Sequence, residues 1–486
     1  MDNKQVTGNT IANNMIWRLM ERFGAQGVTT IVSIVLARLL DPAVYGVVAI
    51  VSIFTALLQV FIDSGFANAL IQKKDADDLD FSTVFYFNVV VCIVLYLGLF
   101  AAAPLIAKFY KMAQLTAVVR VQGLTLIISG LKNVQQAFVS KNLMFKKFFF
   151  ATLTGTIGAA VVGIVMALLG FGVWAIVTET LFNMTVDTMF LWFTVKWRPK
   201  KMFSWARLKG MFSFGSKLFM TSIFATIYRE ARQMIIGKVY TAEDLAFYNK
   251  GATFPQMFSN NVISSIDSVI FPVLAIKQND LTDVKSTTRR AVKLGFYIVS
   301  PMMAGLCACA TPFITVLLTA KWLPCVFFMR ICCYSYAWDC ITQIHINATK
   351  SLGKGQTLLR IDIIKKVVTF TVMLATVFIN LEVMMWSMLG TALFAYVISA
   401  YPNTKLFGYS FKEQFADLFP IAVLDIIMIF IVLSVQLLGL GAFLTLIIQV
   451  IVGAVTYIVG SKLFKLDSFD YLRDFCKAKL GNHLIK

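Results

Sequence analysis

Arginine and lysine recur inside otherwise apolar stretches of this chain, at spacings suited to holding a phosphate group. Arg18 and Arg22 stand four residues apart with Glu21 beside them, so on a helix the two cations share one face. Lys217, Arg229, Glu230 and Arg232 occupy a second apolar stretch, and Lys250 occupies a third. Arg120, Lys132 and Arg330 extend the set. Ionisable groups inside a bilayer are costly and usually face a wet cavity or a partner. Arginine keeps its charge when buried, and its planar fork matches paired phosphate oxygens. Arg18, Arg22, Lys217, Arg229, Arg232 and Lys250 are therefore expected to line a cationic, substrate-binding cavity. Two alternatives compete: these side chains snorkel to the nearest interface, or Arg229 and Arg232 pair with Glu230.

Four acidic residues in apolar stretches, Glu179, Asp187, Asp339 and Asp425, are candidates for a coupling-ion site taking H⁺ or Na⁺. Asp63 and Asp267 fall near the ends of two such stretches, where capping a loop or pairing a basic residue is the expectation. Little else here does chemistry. His345 and His483 are the only histidines, and none of the 8 cysteines shows CxxC spacing. No catalytic group, metal site or cofactor is expected, and the cysteines read as small helix-packing residues.

What must position these charges is a membrane. The chain has 486 residues, 58% apolar and 14% charged, with a mean hydropathy of +0.77. Soluble domains carry about 25% charged residues, and single cores stop growing near about 300 residues. A soluble enzyme, a disordered chain and a disulfide scaffold are all excluded. Apolar stretches able to cross about 30 Å of hydrocarbon recur from end to end. They run Ile11–Leu40, Val44–Ile71, Thr83–Ala107, Leu115–Phe138, Phe149–Leu169 and Val173–Val195. After the basic linker 196–209 (KWRPKKMFSWARLK) come Gly210–Gly237, Leu245–Ile276, Ala291–Leu318, Val326–Ala348, Leu358–Ile379 and Val383–Tyr401. Phe419–Leu438 and Leu440–Ser461 complete about fourteen helical spans.

Basic residues crowd one set of alternating loops, whereas the other set holds only Lys108, Lys111, Lys238 and Lys321. The positive-inside rule then places both termini in the cytoplasm. The same bias accounts for the net charge of +19 without any nucleic acid. The first ten residues are polar and the first apolar run is too long for a signal peptide, so that helix should be retained. The tail from Ser468 to Leu480 reads as an amphipathic helix on the inner leaflet, or as an ordinary capped tail helix.

The two halves resemble one another. Ile62-Asp63-Ser64 returns as Ile266-Asp267-Ser268, Tyr45 as Tyr248, Pro104 as Pro312 and Lys141 as Lys350, in the same order. Because each half holds an even number of spans, the halves should be related by an axis along the membrane normal. The expected architecture is all-α: a lobe over 1–195, the linker, a lobe over 210–401, two further helices in 402–461 and a cytoplasmic tail, 462–486.

Four segments carry a family resemblance: ARLLDPAVYGVVAI (37–50), DSGFANALIQKKDADDLDFSTVFYFN (63–88), APLIAKFY (103–110) and QQAFVSKNLMFKKF (135–148). Together they resemble the Wzx-type polysaccharide transporters, the WzxC/TuaB-like branch of the MOP superfamily. The resemblance implies two six-helix lobes around a V-shaped cationic cavity, with the last two helices forming a groove for an isoprenoid tail. It implies a flippase of the bacterial inner membrane that moves undecaprenyl-diphosphate-linked oligosaccharide to the periplasmic leaflet for lipopolysaccharide, capsule or exopolysaccharide synthesis. Membrane lipids and polysaccharide assembly proteins are its implied partners. A MATE-like drug exporter would need acidic cavity residues to hold cations, whereas cations predominate here. A membrane polymerase or ligase of the same pathway would need a large outer loop, and the outer loops are turns such as Gly170-Phe171-Gly172.

Overall fold

A computed structural model describes residues 8–63 and 66–474, without the side chains of 8–16, 18, 19, 22, 23, 68 and 212–218. The described chain is helical nearly throughout and falls into two compact units, Met1–Ala246 and Phe247–Lys486. Nine helical stretches among the described residues are long and apolar enough to cross a membrane.

The first unit holds α1 (Gly8–Leu39), α2 (Pro42–Asp63), α3 (Phe66–Gln72), α4 (Asp78–Tyr110), α5 (Leu115–Gln122), α6 (Leu124–Lys141), α7 (Phe145–Leu168), α8 (Val173–Thr194) and α9 (Trp205–Val239). Its tightest seam joins α7 to α8, and the reason is legible in residue size. Ala151, Gly155, Ala159, Gly163 and Ala167 recur every four residues on the buried face of α7. Such a row lets backbones approach closely in lipid, where dispersion contacts replace the hydrophobic effect. A Cβ added at Gly155 would stand 3.0 Å from the Asn183 carbonyl, and one at Gly163 would stand 3.0 Å from Glu179 Cβ. Another close approach joins α2 to the first turn of α10, where a Cβ on Gly46 would meet the Ala242 carbonyl oxygen at 1.9 Å.

The basic linker is part of this unit. Trp197 is buried against Phe81 and Phe138, and Gln135 donates to its carbonyl at 3.3 Å. Ser204 then caps α9 by accepting from the Arg207 backbone N–H. Asp77 caps α4 in a reciprocal capping box with Asp80. That fully buried Asp80 carboxylate accepts from Lys73 at 2.6 Å and from Arg207 at 3.3 Å.

From α10 (Ala242–Ile276) the chain passes into the second unit: α11 (Leu281–Ala308), α12 (Ala310–Leu318), α13 (Cys325–Ser351), α14 (Gly355–Val377), α15 (Leu381–Leu406), α16 (Phe411–Ser434) and α17 (Ala442–Leu463). A further helical segment, 467–474, follows. Ser410 and Glu413 form the capping box that starts α16. All seven described cysteines are free thiols, six of them buried.

One local departure from the hydropathy reading stands out. The fourth apolar stretch is divided at Gly123, where α5 ends and α6 begins. In the second, α2 is described to Asp63 and α3 from Phe66, and the two residues between lie outside the described residues. The expected tail helix is visible from 467 to 474, and its remainder lies outside the described residues.

Candidate functional site: charged groups in the spans and an apolar groove

Arg18 and Arg22 lie on α1 and Lys217 on α9, but their side chains lie outside the described residues. On α9, Arg229 Nε donates to Glu230 Oε1 at 2.9 Å, and Gln233 holds the other carboxylate oxygen at 2.8 Å. Arg229 remains 62% exposed while the Glu230 side chain is 11% exposed, so the pair presents its cationic end outward. Arg232, one turn on, is half-buried. Lys250 on α10 is buried, with its ammonium 5.8 Å from the centre of the Trp322 ring, close enough for a cation–π contact.

Arg120 and Arg330 hold comparable places in the two halves. Arg120 lies over Phe100 at 4.1 Å and donates to its carbonyl, four residues before Pro104. Arg330 donates to Thr311, beside Pro312. Both therefore tie a helix to the proline-bearing helix of its own repeat.

Of the acidic candidates, Asp187 on α8 has a clear partner: Lys132 Nζ of α6 lies 2.6 Å away, and both side chains are largely buried. Hydropathy alone gave no sign of this pairing, because the partners are neither adjacent nor at helical spacing. Glu179, two turns earlier on α8, is half-buried against the glycine face of α7. Asp339 is exposed on α13. Asp425 on α16 is buried, and its Oδ1 has no hydrogen-bond partner among the described residues. Around it runs a polar seam through α11 and α17, in which Tyr457 donates to the Tyr297 carbonyl and Tyr297 to Ser461. These four acids occupy separate places. No group of three potential metal ligands gathers among the described residues.

Among the described residues, Asp63 and Asp267 accept hydrogen bonds from side-chain amides and from no basic side chain. Asn133 and Gln59 donate to Asp63 at 3.3 and 3.0 Å. Asn347 and Gln343 donate to Asp267 at 2.6 and 3.3 Å. Equivalent residues of the sequence repeat thus make equivalent bonds within each unit.

A groove of about 510 Å³ opens in the second unit between α11, α12, α16 and α17. Pro301, Gly305, Phe313, Met428, Gly453 and Ile458 are among its walls, which are apolar almost throughout. At the groove, α17 packs closely on α16: a Cβ on Gly453 would stand 3.2 Å from the Val432 side chain.

A buried lysine, half-buried cations, an apolar groove and long apolar helices among the described residues define a helical, multi-pass membrane protein. The fold agrees: a structure of the lipid II flippase MurJ in an inward closed conformation superposes with a TM-score of 0.71 at 15% identity, over 93% of this chain and 98% of that one. An inward-facing MATE family transporter of the MOP superfamily gives 0.61 at 14% identity, over 78% and 94%. The chain belongs to the family described as Polysaccharide biosynthesis protein, which matches residues 35–327. ExoT of Rhizobium meliloti (strain 1021), a succinoglycan biosynthesis transport protein, is 22% identical over 376 residues, 75% of this chain and 74% of its own. The teichuronic acid biosynthesis protein TuaB of Bacillus subtilis (strain 168) is 25% identical over 57% of this chain and 58% of its own. The lipopolysaccharide biosynthesis protein WzxC of Escherichia coli (strain K12) is 24% identical over 62% and 61%.

Proposed function

We propose that this protein is a flippase, carrying an oligosaccharide linked through diphosphate to an isoprenoid lipid from the cytoplasmic to the periplasmic leaflet of the inner membrane. The observation that carries this reading is the apolar groove of about 510 Å³ in a chain whose spans also hold buried or half-buried cations. An apolar channel suits the lipid tail, and cations suit the diphosphate. Membership in a polysaccharide biosynthesis family and similarity to a relative named as a transport protein support it. The reading includes both termini in the cytoplasm, no enzymatic step, and H⁺ or Na⁺ as the coupling ion. Asp187 and Asp425 are both buried with one oxygen unpartnered, but Asp187 is paired with Lys132, so Asp425 is the acid best placed for that ion.

A diphosphate loses hydration on entering hydrocarbon, at a cost of several kcal/mol per charge unless cations replace the water. A substrate shifts a conformational equilibrium only by binding the two states unequally. We therefore assign Arg18, Arg22 and Lys217 to loading from the cytoplasmic side, and Arg229, Arg232 and Lys250 to the outward-open state. The test separates binding from flipping in proteoliposomes. Replacing Arg18 and Arg22 by alanine should weaken loading, whereas replacing Arg229 and Arg232 should spare loading and stall delivery. Wild-type flipping by the Arg18→Ala, Arg22→Ala pair would reduce both to snorkelling residues. Failure of any lipid-diphosphate to move would reject the flippase itself.

A further inference from the structure

A second cavity, of about 890 Å³, lies in the second unit where the end of α10, the start of α11 and the helical segment 467–474 meet. Its walls carry five cations, Lys277, Lys285, Arg289, Arg290 and Lys293, and one carboxylate, Asp467. The groove described above shares none of these residues. Four of the five cations are held by carboxylates. Lys285 is 2.9 Å from Glu413, Arg289 is bidentate to Asp417 at 2.7 and 2.8 Å, Lys293 is 2.6 Å from Asp467, and Lys277 is 3.4 Å from Asp283. These pairs fix the cations without exhausting them. A lysine has three N–H donors and arginine five, so each retains donors after one pairing. Arg290, whose guanidinium lies 4.8 Å over the exposed Tyr471 ring, forms no ion pair among the described residues.

Neutral hydroxyls from Ser286 and Thr287 also line the cavity, and Ile270, Val273 and Leu294 give it an apolar wall. Preorganised donors, one arginine outside any ion pair and an adjoining apolar wall are the complement of a phosphate ester on an apolar stem. Basic pockets between helices at the cytoplasmic side of a membrane protein recognise anionic head groups by this chemistry.

We propose that this cavity binds the phosphoryl head group of an anionic membrane lipid, and that segment 467–474 forms its rim. The Arg290 fork and the remaining Lys285 and Lys293 donors contact the phosphoryl oxygens, and the acyl stem lies along Ile270 and Val273. Tyr471 holds Arg290 in place. The site needs neither the groove nor transport, so a chain that fails to flip substrate yet binds lipid here would leave this proposal standing.

The experiment is calorimetric titration of the purified full-length chain with dihexanoyl phosphatidylglycerol, dihexanoyl phosphatidylcholine and inorganic pyrophosphate. Phosphatidylglycerol should bind saturably, and more tightly than the zwitterionic phosphatidylcholine. Arg290→Gln with Lys293→Gln should weaken it about tenfold or more, as loss of charge-assisted hydrogen bonds requires. Arg290→Lys should retain part of the affinity. If the double variant unfolds, Arg290→Gln alone serves, because Arg290 is exposed and in no ion pair among the described residues. Variant-sensitive binding of pyrophosphate without phosphatidylglycerol would overturn the lipid assignment in favour of a soluble anion. Binding of neither, or binding indifferent to these substitutions, would overturn the site.

Discussion

Lys132 on α6 reaches Asp187 on α8 across 2.6 Å, with side-chain exposures of 16% and 8%. A buried pair of this kind is costly to break from one side, because the remaining charge is left desolvated. Asp187→Asn should therefore destabilise the first unit by about 3–5 kcal/mol. Lys132→Met combined with Asp187→Leu should recover most of that loss. Thermal unfolding of the detergent-purified variants checks it, and equal instability of single and double variants would contradict the pairing.

The amide–carboxylate bonds of the two units allow a paired comparison. Asn347→Leu removes the 2.6 Å donor from Asp267, and Asn133→Leu removes the 3.3 Å donor from Asp63. Hydrogen bonds to charged groups contribute about 1.5–3 kcal/mol, so both variants should lose stability, the first more than the second. Chemical denaturation of each variant gives the ordering. The reverse order would mean that Gln343 compensates for the lost donor better than Gln59 does.

Gly46 has no room for a side chain. A Cβ at this position would stand 1.9 Å from the Ala242 carbonyl oxygen, and backbone cannot swing aside as a side chain can. Gly46→Ala should sharply lower the yield of folded protein, whereas Gly98→Ala, with nothing within 4 Å, should not. Size-exclusion profiles of the two variants decide the matter.

Lys293 holds the Asp467 carboxyl below its ordinary range, chiefly through their hydrogen bond, with Arg289 adding to the same effect. A depressed carboxyl contributes stability that is fully present above its unfolded value of about 3.9 and is lost as pH falls through the lower folded value. Hydrogen-exchange protection of 467–474, corrected for intrinsic rate, should therefore stay level from about pH 8 to pH 5 and decline below about pH 4. Asp467→Asn should show the reduced protection already at neutral pH. Protection that falls between pH 7 and pH 5 would point to another group.

Helices were legible in this sequence because lipid demands long apolar runs, and α4, α7, α16 and α17 follow the hydropathy closely. The internal repeat was legible at Asp63 and Asp267 because each carboxylate answers to an amide on a neighbouring helix of its own unit. The partner of Lys132 was not legible, because it lies far along the chain and no local spacing encodes such a pairing. The acidic run around the start of α4 was likewise silent about Arg207, although Asp80 binds it. The apolar groove depends on which faces α11, α16 and α17 leave uncovered, a property of packing that residue type does not carry.

The four-residue row of glycine and alanine on α7 also bears on how the protein is made. Its partner α8 follows after a turn in which Gly170 and Gly172 adopt φ of +81° and +55°, values that glycine tolerates without strain. Two helices joined so tightly and matched along their length form a hairpin that can assemble in lipid as a pair. During synthesis this hairpin can settle in the bilayer before α9 has left the ribosome. When α9 follows, it meets a finished wall.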